Sequence, residues 1–209
     1  MLSGSGLSLS HLPTIFTAAF RAAISYFIIV AFPYATIMLV TPSLFRAAAG
    51  SSIPPPLPAP LVLMGMKYWD GESKPLFCLD QLQGGQSQLG HYRNSIVLVH
   101  FFATWCASCH DEITSLQQLN GQLKDQSVSI LAVDVADLDV RAKRYFKNNR
   151  VNFPILLDRE REIAKAWGVY SLPVTFILDK SLTPKYWVEN NRDWNRPEII
   201  GFLQSMVSQ

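Results

Sequence analysis

Two cysteines three residues apart, Cys106 and Cys109, stand where an unbroken apolar run ends and helical spacing begins. The run, Ile96-Val97-Leu98-Val99-His100-Phe101-Phe102-Ala103, is dense enough to be a strand buried on both faces. After it, apolar residues at 109, 113, 116 and 123 follow the period of a helix. The pair is therefore expected at a strand-to-helix junction, with Cys106 at the helix N-terminus. Unpaired backbone N–H groups and the helix dipole favour a thiolate there, and the thiolate is the reactive form of cysteine. The spacing also lets Cys109 reach back to Cys106 and close a small disulfide ring, as reversible dithiol–disulfide chemistry requires.

A C-x-x-C alone also fits half a zinc site. Cys78, His91, His100 and His110 are the candidates to complete one, and none is paired at zinc-finger spacing. Neither a metal nor a cofactor is expected. A second, distant feature fits redox chemistry better: in Ser171-Leu172-Pro173-Val174-Thr175-Phe176-Ile177-Leu178-Asp179 a proline opens a β-branched, aromatic strand.

Over residues 75–208 these blocks, in order, resemble the thioredoxin superfamily and, within it, the membrane-anchored TlpA/ResA-like thiol–disulfide oxidoreductases. The resemblance is carried by Phe77-Cys78-Leu79-Asp80, by Leu89-Gly90-His91-Tyr92-Arg93 and by Val99 to Cys106. Val151 to Asp158 with Ala164 to Val169, and Leu172 to Phe176, complete it. Three departures stand out. Ser108 occupies the place of the family's usual proline, His100 that of an Asn or Asp, and Lys180-Ser181-Leu182-Thr183-Pro184 lacks the expected glycine turn.

The resemblance implies an α/β thioredoxin-like fold, a mixed central sheet with helices on both faces. Strands are expected near 75–79, 96–103, 128–135, 154–157, 173–178 and 185–188. Helices are expected near 106–123, 138–149, 159–167 and 196–207. Asp158 suits the N-cap of the third helix, Gly168 its end, and Pro197 the first turn of the last.

The first sixty residues differ in kind. Ala22 to Val40 is a stretch of 19 residues without a charge, enough to cross a ~30 Å hydrocarbon core at ~1.5 Å per residue. A retained transmembrane anchor is expected; a cleaved signal peptide ending at Ala47-Ala48-Ala49 is the rival. Ile53-Pro54-Pro55-Pro56-Leu57-Pro58-Ala59-Pro60, with five prolines, reads as a semi-rigid spacer. The expected organisation is tail and anchor over 1–45, a Pro-rich linker over 46–66 and a thioredoxin-like domain over 67–209. A net charge of +2 gives no footprint for nucleic acid.

Site roles follow from the resemblance together with the residue chemistry. Cys106 is the expected exposed nucleophile and Cys109 the buried resolving thiol. Trp105 is expected either to line the substrate groove or simply to pack. Pro173, cis by resemblance, would set the backbone of Leu172 beside the dithiol, where an extended client could add as a strand. Asp80 and His100 are candidates to move the proton of Cys109; a solvated strand end and a satisfied core histidine are their plain alternatives. Cys78 reads as a small strand residue, with a third, exposed redox thiol as the alternative.

The implied activity is reduction of disulfides in extracytoplasmic proteins, apocytochrome c among them, on the periplasmic side of a bacterial inner membrane. A membrane electron donor would then re-reduce the pair. Ala107-Ser108 lacks the intervening histidine of strong oxidants, which leans toward a reductant. A peroxiredoxin-like thiol peroxidase fits less well, because Val99 to Trp105 holds no proline. An assembly or metal-carrier module is the third class.

Overall fold

The computed structural model describes residues 56–209. The expected anchor over 22–40, the cleavage site at 47–49 and the start of the Pro-rich spacer lie outside these residues. Among the described residues no helix is long and apolar enough to cross a membrane.

Among the described residues the α-helices and strands follow in the order α1 (Ala59–Leu63), β1 (Met66–Tyr68), β2 (Cys78–Asp80), β3 (Gln86–Gln88), β4 (Ile96–Phe102), α2 (His110–Leu123), β5 (Val128–Val135), α3 (Asp139–Asn148), β6 (Ile155–Asp158), α4 (Glu162–Ala166), β7 (Val174–Leu178), β8 (Pro184–Glu189) and α5 (Pro197–Val207). Six strands form one sheet in the order β1-β8-β7-β4-β5-β6. β4 pairs in parallel with β5, β5 in parallel with β6, and the remaining neighbours are antiparallel. The expected mixed sheet is found.

All seven residues of β4 are buried, so its apolar run serves two cores at once. Ile96, Leu98 and Phe102 face the layer that holds Cys109, Ile113 and Leu116 of α2 and Leu203 of α5. Val97, Val99 and Phe101 face the opposite layer, around Trp167 and Phe176. Trp167 is wholly buried, and its indole N–H donates to the carbonyl of Pro75 at 3.1 Å. Truncating a buried tryptophan of this kind to alanine costs about 3–5 kcal/mol.

Several expected boundaries are corrected. The end of the assumed linker belongs to the folded unit: α1 buries Leu61, and β1 pairs Met66 with Val188 at the sheet edge. A three-residue strand carries too little alternation to read in advance. The strand expected near 75–79 is β2, and it pairs with the unforeseen β3 rather than with the main sheet. That hairpin covers the exposed edge of β6, with Leu82 N–H donating to Ile155 at 2.8 Å.

The N-cap position falls on Arg161 and not on the expected Asp158, although the Asp158 carboxylate still accepts the first-turn N–H groups of Ile163 and Ala164 at 3.2 and 2.8 Å. The regular helix starts only at Glu162, because Arg161 is left-handed. Where a glycine turn was missing before β8, Leu182 takes φ 68° and is buried, while the Asp179 carboxylate accepts the N–H groups of Ser181 and Thr183. A side-chain clamp replaces glycine's conformational freedom at this turn.

Candidate active site

Chain direction places the site. β4 runs parallel to β5 on one side and antiparallel to β7 on the other. The C-terminal end of β4 therefore meets the start of β7 at the middle of the sheet, and open α/β folds put their ligands at the carboxyl ends of their strands.

Thr104 anchors the turn leaving β4. Its N–H donates to Asp137 Oδ2 at 3.0 Å and its hydroxyl donates to the same oxygen. His110 Nε2 donates to the Thr104 carbonyl at 2.9 Å. With Thr104 held from both sides, Trp105 and Cys106 project into a cleft of about 600 Å³.

Cys106 and Cys109 are joined in a disulfide with their Cα atoms 5.4 Å apart. Cys106 precedes a 3-10 turn over Ala107–Cys109 that runs directly into α2. The two sulfurs are unequal: Cys106 lines the cleft and keeps 8% exposure, whereas Cys109 has none. The expected order of access holds, although Cys106 is more covered than an open nucleophile would be. Ser108 Oγ lies 3.3 Å from the Cys106 sulfur, on the residue that replaces the usual proline.

Trp105 is 55% exposed and lines the cleft, so it is a groove residue and not core packing. Leu172 lines the same cleft, and the Leu172–Pro173 peptide is cis. Four of the expected residues (Trp105, Cys106, Cys109 and Leu172, with Pro173 adjoining) are thus brought together.

Asp80 is not among the residues lining the cleft. Its carboxylate receives Arg159 at 2.8 Å and Gln86 at 3.2 Å, and Arg159 also forks onto Asp139 at 2.8 and 2.9 Å. The Arg159 hydrogen bond holds Asp80 below the usual carboxylate range, so it stays ionised. Its surface ion pair and lowered affinity for a proton fit poorly with the proton-transfer role.

His100 is wholly buried on the dithiol face of β4. Its Nδ1 lies 2.9 Å from the hydroxyl of Thr175, the residue directly opposite it in β7. Burial pushes the imidazole down to about 3, which leaves it neutral and a weak proton acceptor. Only Nδ1 is satisfied, since Nε2 has no hydrogen-bond partner among the described residues, so His100 is a half-satisfied core histidine whose lowered basicity fits poorly with a proton carrier.

One residue escaped the sequence reading. Glu112 is three residues beyond Cys109 on α2 and is 1% exposed. Trp194 Nε1 donates to its Oε1 at 2.8 Å, and Oε2 has no hydrogen-bond partner among the described residues. Burial pushes this carboxyl up to about 8, against the pull of Trp194 and Arg192. The signal was available: position 112 falls on the apolar stripe 109, 113, 116, where a carboxylate has no packing reason to be. A second buried carboxyl, Asp134 beside Phe102 in the register of β4 and β5, has both oxygens unpartnered among the described residues and is likewise raised to about 8 by burial.

Cys78 is exposed and free, 3.7 Å from Gln86 Oε1. Among the described residues no group of three or more His, Cys, Asp or Glu side chains is placed to hold a metal.

The sequence profile of the AhpC/TSA family matches residues 71–185. Among curated proteins, the thiol-disulfide oxidoreductase ResA of Geobacillus thermodenitrificans is 34% identical over 111 residues, 53% of this chain and 64% of that protein. ResA of Bacillus subtilis is 31% identical over 110 residues, covering 53% and 62%. The match thus spans less than two thirds of these relatives' own length. Among solved structures, a putative thiol:disulfide interchange protein DsbE from Chlorobium tepidum superposes with a TM-score of 0.58 at 20% identity, covering 68% of this chain and 97% of that one. A secreted thiol-disulfide isomerase from Corynebacterium glutamicum gives 0.61 at 21%, covering 69% and 93%. The structural likenesses speak to the fold, which is thioredoxin-like. The matched span takes in β2 through β7 with the dithiol between them, and the chain belongs to the AhpC/TSA family of the thioredoxin superfamily.

Proposed function

We propose that this chain is a membrane-tethered thiol–disulfide oxidoreductase that reduces disulfides in proteins outside the cytoplasm. One observation carries the reading: in the Cys106–Cys109 disulfide one sulfur borders a solvent-facing cleft while the other is buried at the head of the helix whose first turn carries a carboxyl raised to about 8. The names of the ResA relatives support the same chemistry.

In the reduced chain the Cys106 thiolate attacks a client disulfide. A Cys106–client bond forms, the client S–S bond breaks, and the released client thiolate takes a proton. Cys109 then gives up its proton and attacks the Cys106 sulfur, closing Cys106–Cys109 and releasing the second client thiolate. Two electrons pass from the pair to the client. A buried thiol resists ionisation, so this second step needs a proton acceptor. Glu112, poised near neutral pH one helical turn away, suits that task and can return the proton when the disulfide is re-reduced.

The uncharged stretch 22–40 supports the tether, and an outward-facing domain would then draw electrons from a membrane donor. Apocytochrome c is the client class that the family resemblance suggests.

The test is insulin reduction measured beside hydrogen peroxide turnover. The proposal expects stoichiometric insulin reduction by the reduced chain and negligible peroxide consumption; the reverse result would assign a thiol peroxidase. For the tether, full-length protein should pellet with membranes and resist carbonate extraction. Release of a soluble chain starting near Gly50 would show cleavage instead.

A further inference from the structure

The wall of the cleft on the β5 and β6 side is built around Ala136 and Arg161. Both are left-handed, at φ 53° and 59°. A side chain in that conformation is strained, and the strain persists only where surrounding structure enforces it. The enforcing group here is Asp158. Its carbonyl accepts the N–H groups of Ala136 at 3.0 Å and of Arg161 at 3.1 Å, and its carboxylate accepts first-turn N–H groups of α4 just beyond. The backbone that carries Arg161 is therefore fixed, on a position that glycine would occupy without strain.

The two neighbouring arginines are used differently. Arg159 is saturated by Asp80 and Asp139. Arg161 is exposed, has no ion pair among the described residues, and is the sole charged side chain among the described residues lining the cleft. The rest of that lining is mostly apolar or aromatic, with Trp105 and Tyr170 presenting 55% and 91% of their surface. An unneutralised guanidinium carried on a fixed backbone at the edge of an aromatic cleft is placed to pair with a carboxylate.

Building on the disulfide-reductase reading, we propose that Arg161 is a specificity-determining residue that binds an Asp or Glu flanking the client's reacting cysteine. A client segment laid as an extended strand along Leu172 would set its cysteine on Cys106. Its apolar neighbours would lie against Trp105 and Tyr170, and its acidic residue would meet Arg161. The surface thus favours clients with a carboxylate next to the disulfide over otherwise equal neutral or basic ones.

The experiment uses the full reduced chain and disulfide-linked peptides that differ by one Glu or Gln, stepped through the two positions on either side of the cysteine. kcat/KM is read at low and at high salt. The expected result is a preference for Glu of about two- to fivefold at one position, the range of a solvent-exposed ion pair, shrinking toward one in high salt. Arg161→Gln should abolish the preference and Arg161→Lys should retain part of it. An equal rate for Glu and Gln peptides in the wild type would overturn the proposal, as would a preference that survives Arg161→Gln. Equal slowing of both peptides by Arg161→Gln would overturn it too, because the guanidinium would then act on the thiol and not on the client. Failure to reduce any peptide would instead remove the disulfide-reductase reading on which the proposal rests.

Discussion

Trp194 holds Glu112 by one oxygen only: its indole N–H donates to Oε1 at 2.8 Å, and Oε2 is left without a partner among the described residues. Both side chains are buried, at 0% and 1% exposure, and Cys109 lies three residues before the carboxyl, at the head of the same helix. The indole fixes the carboxyl's position while the second oxygen keeps its capacity for a proton. A group raised to about 8 changes its protonation near the pH at which it would work.

Glu112→Gln keeps the Trp194 hydrogen bond but cannot take a proton. Resolution of a Cys106-linked mixed disulfide should slow by about 10²-fold, the usual contribution of a positioned acid or base. Formation of that mixed disulfide should change little. Single-turnover quenching across pH 5–9 separates the two steps. In the wild type the resolution rate should rise through pH 8, and this rise should be missing in the variant.

Asp134 contributes a pH dependence to stability. Its carboxyl keeps its proton up to about pH 8 in the fold but releases it near the ordinary carboxylate value of 3.8 when unfolded. Between those values the folded chain binds more protons, so stability falls as pH rises. The contribution is complete below about pH 4 and is lost as pH climbs through 8. Asp134→Asn should flatten this decline and add on the order of a few kcal/mol at pH 8, since each pH unit between the folded and unfolded values is worth ~1.4 kcal/mol. Urea midpoints from pH 4 to 9 read it; Glu112 adds a slope of the same sign, so the double variant with Glu112→Gln should be flatter still.

His100 works with the opposite sign. Its folded value of about 3 lies below the unfolded 6.5, so its contribution is present above pH 6.5 and is lost as pH falls toward 3. His100→Leu strands the Thr175 hydroxyl, at a cost of about 1–3 kcal/mol near neutral pH. The difference in stability between variant and wild type should narrow in acid. Resolution of the mixed disulfide should run at the wild-type rate, because a neutral imidazole this hard to protonate is a poor acceptor for a thiol proton.

What was legible in the sequence was what local pattern encodes. The apolar run of β4 and the helical stripe of α2 located the dithiol, and the proline at the head of β7 marked a strand start; its cis bond and its place beside the dithiol came from the family resemblance. The misses share one physical origin. Asp80 and His100 were assigned by their nearness to the site in a family register, but their protonation is set by Arg159 in one case and by complete burial in the other. The apolar stripe of α2 marks Glu112 as out of place, but the state of its carboxyl is set by burial and by Trp194, 82 residues away. The short strands β1 and β3 have no periodicity of their own and exist only through β8 and β2. The left-handed residues Ala136 and Arg161 could not be foreseen either, since the carbonyl that holds them both belongs to Asp158 at the end of β6.

The most direct measurement of the central claim is covalent trapping with single cysteine variants. Full-length Cys109→Ser, reduced and exposed to disulfide-containing clients, should accumulate mixed disulfides through Cys106, visible as adducts on non-reducing gels. Cys106→Ser should accumulate few, because Cys109 has no exposed surface. Equal trapping by the two variants, or a preference for Cys109, would contradict the assignment of Cys106 as nucleophile and Cys109 as resolving thiol.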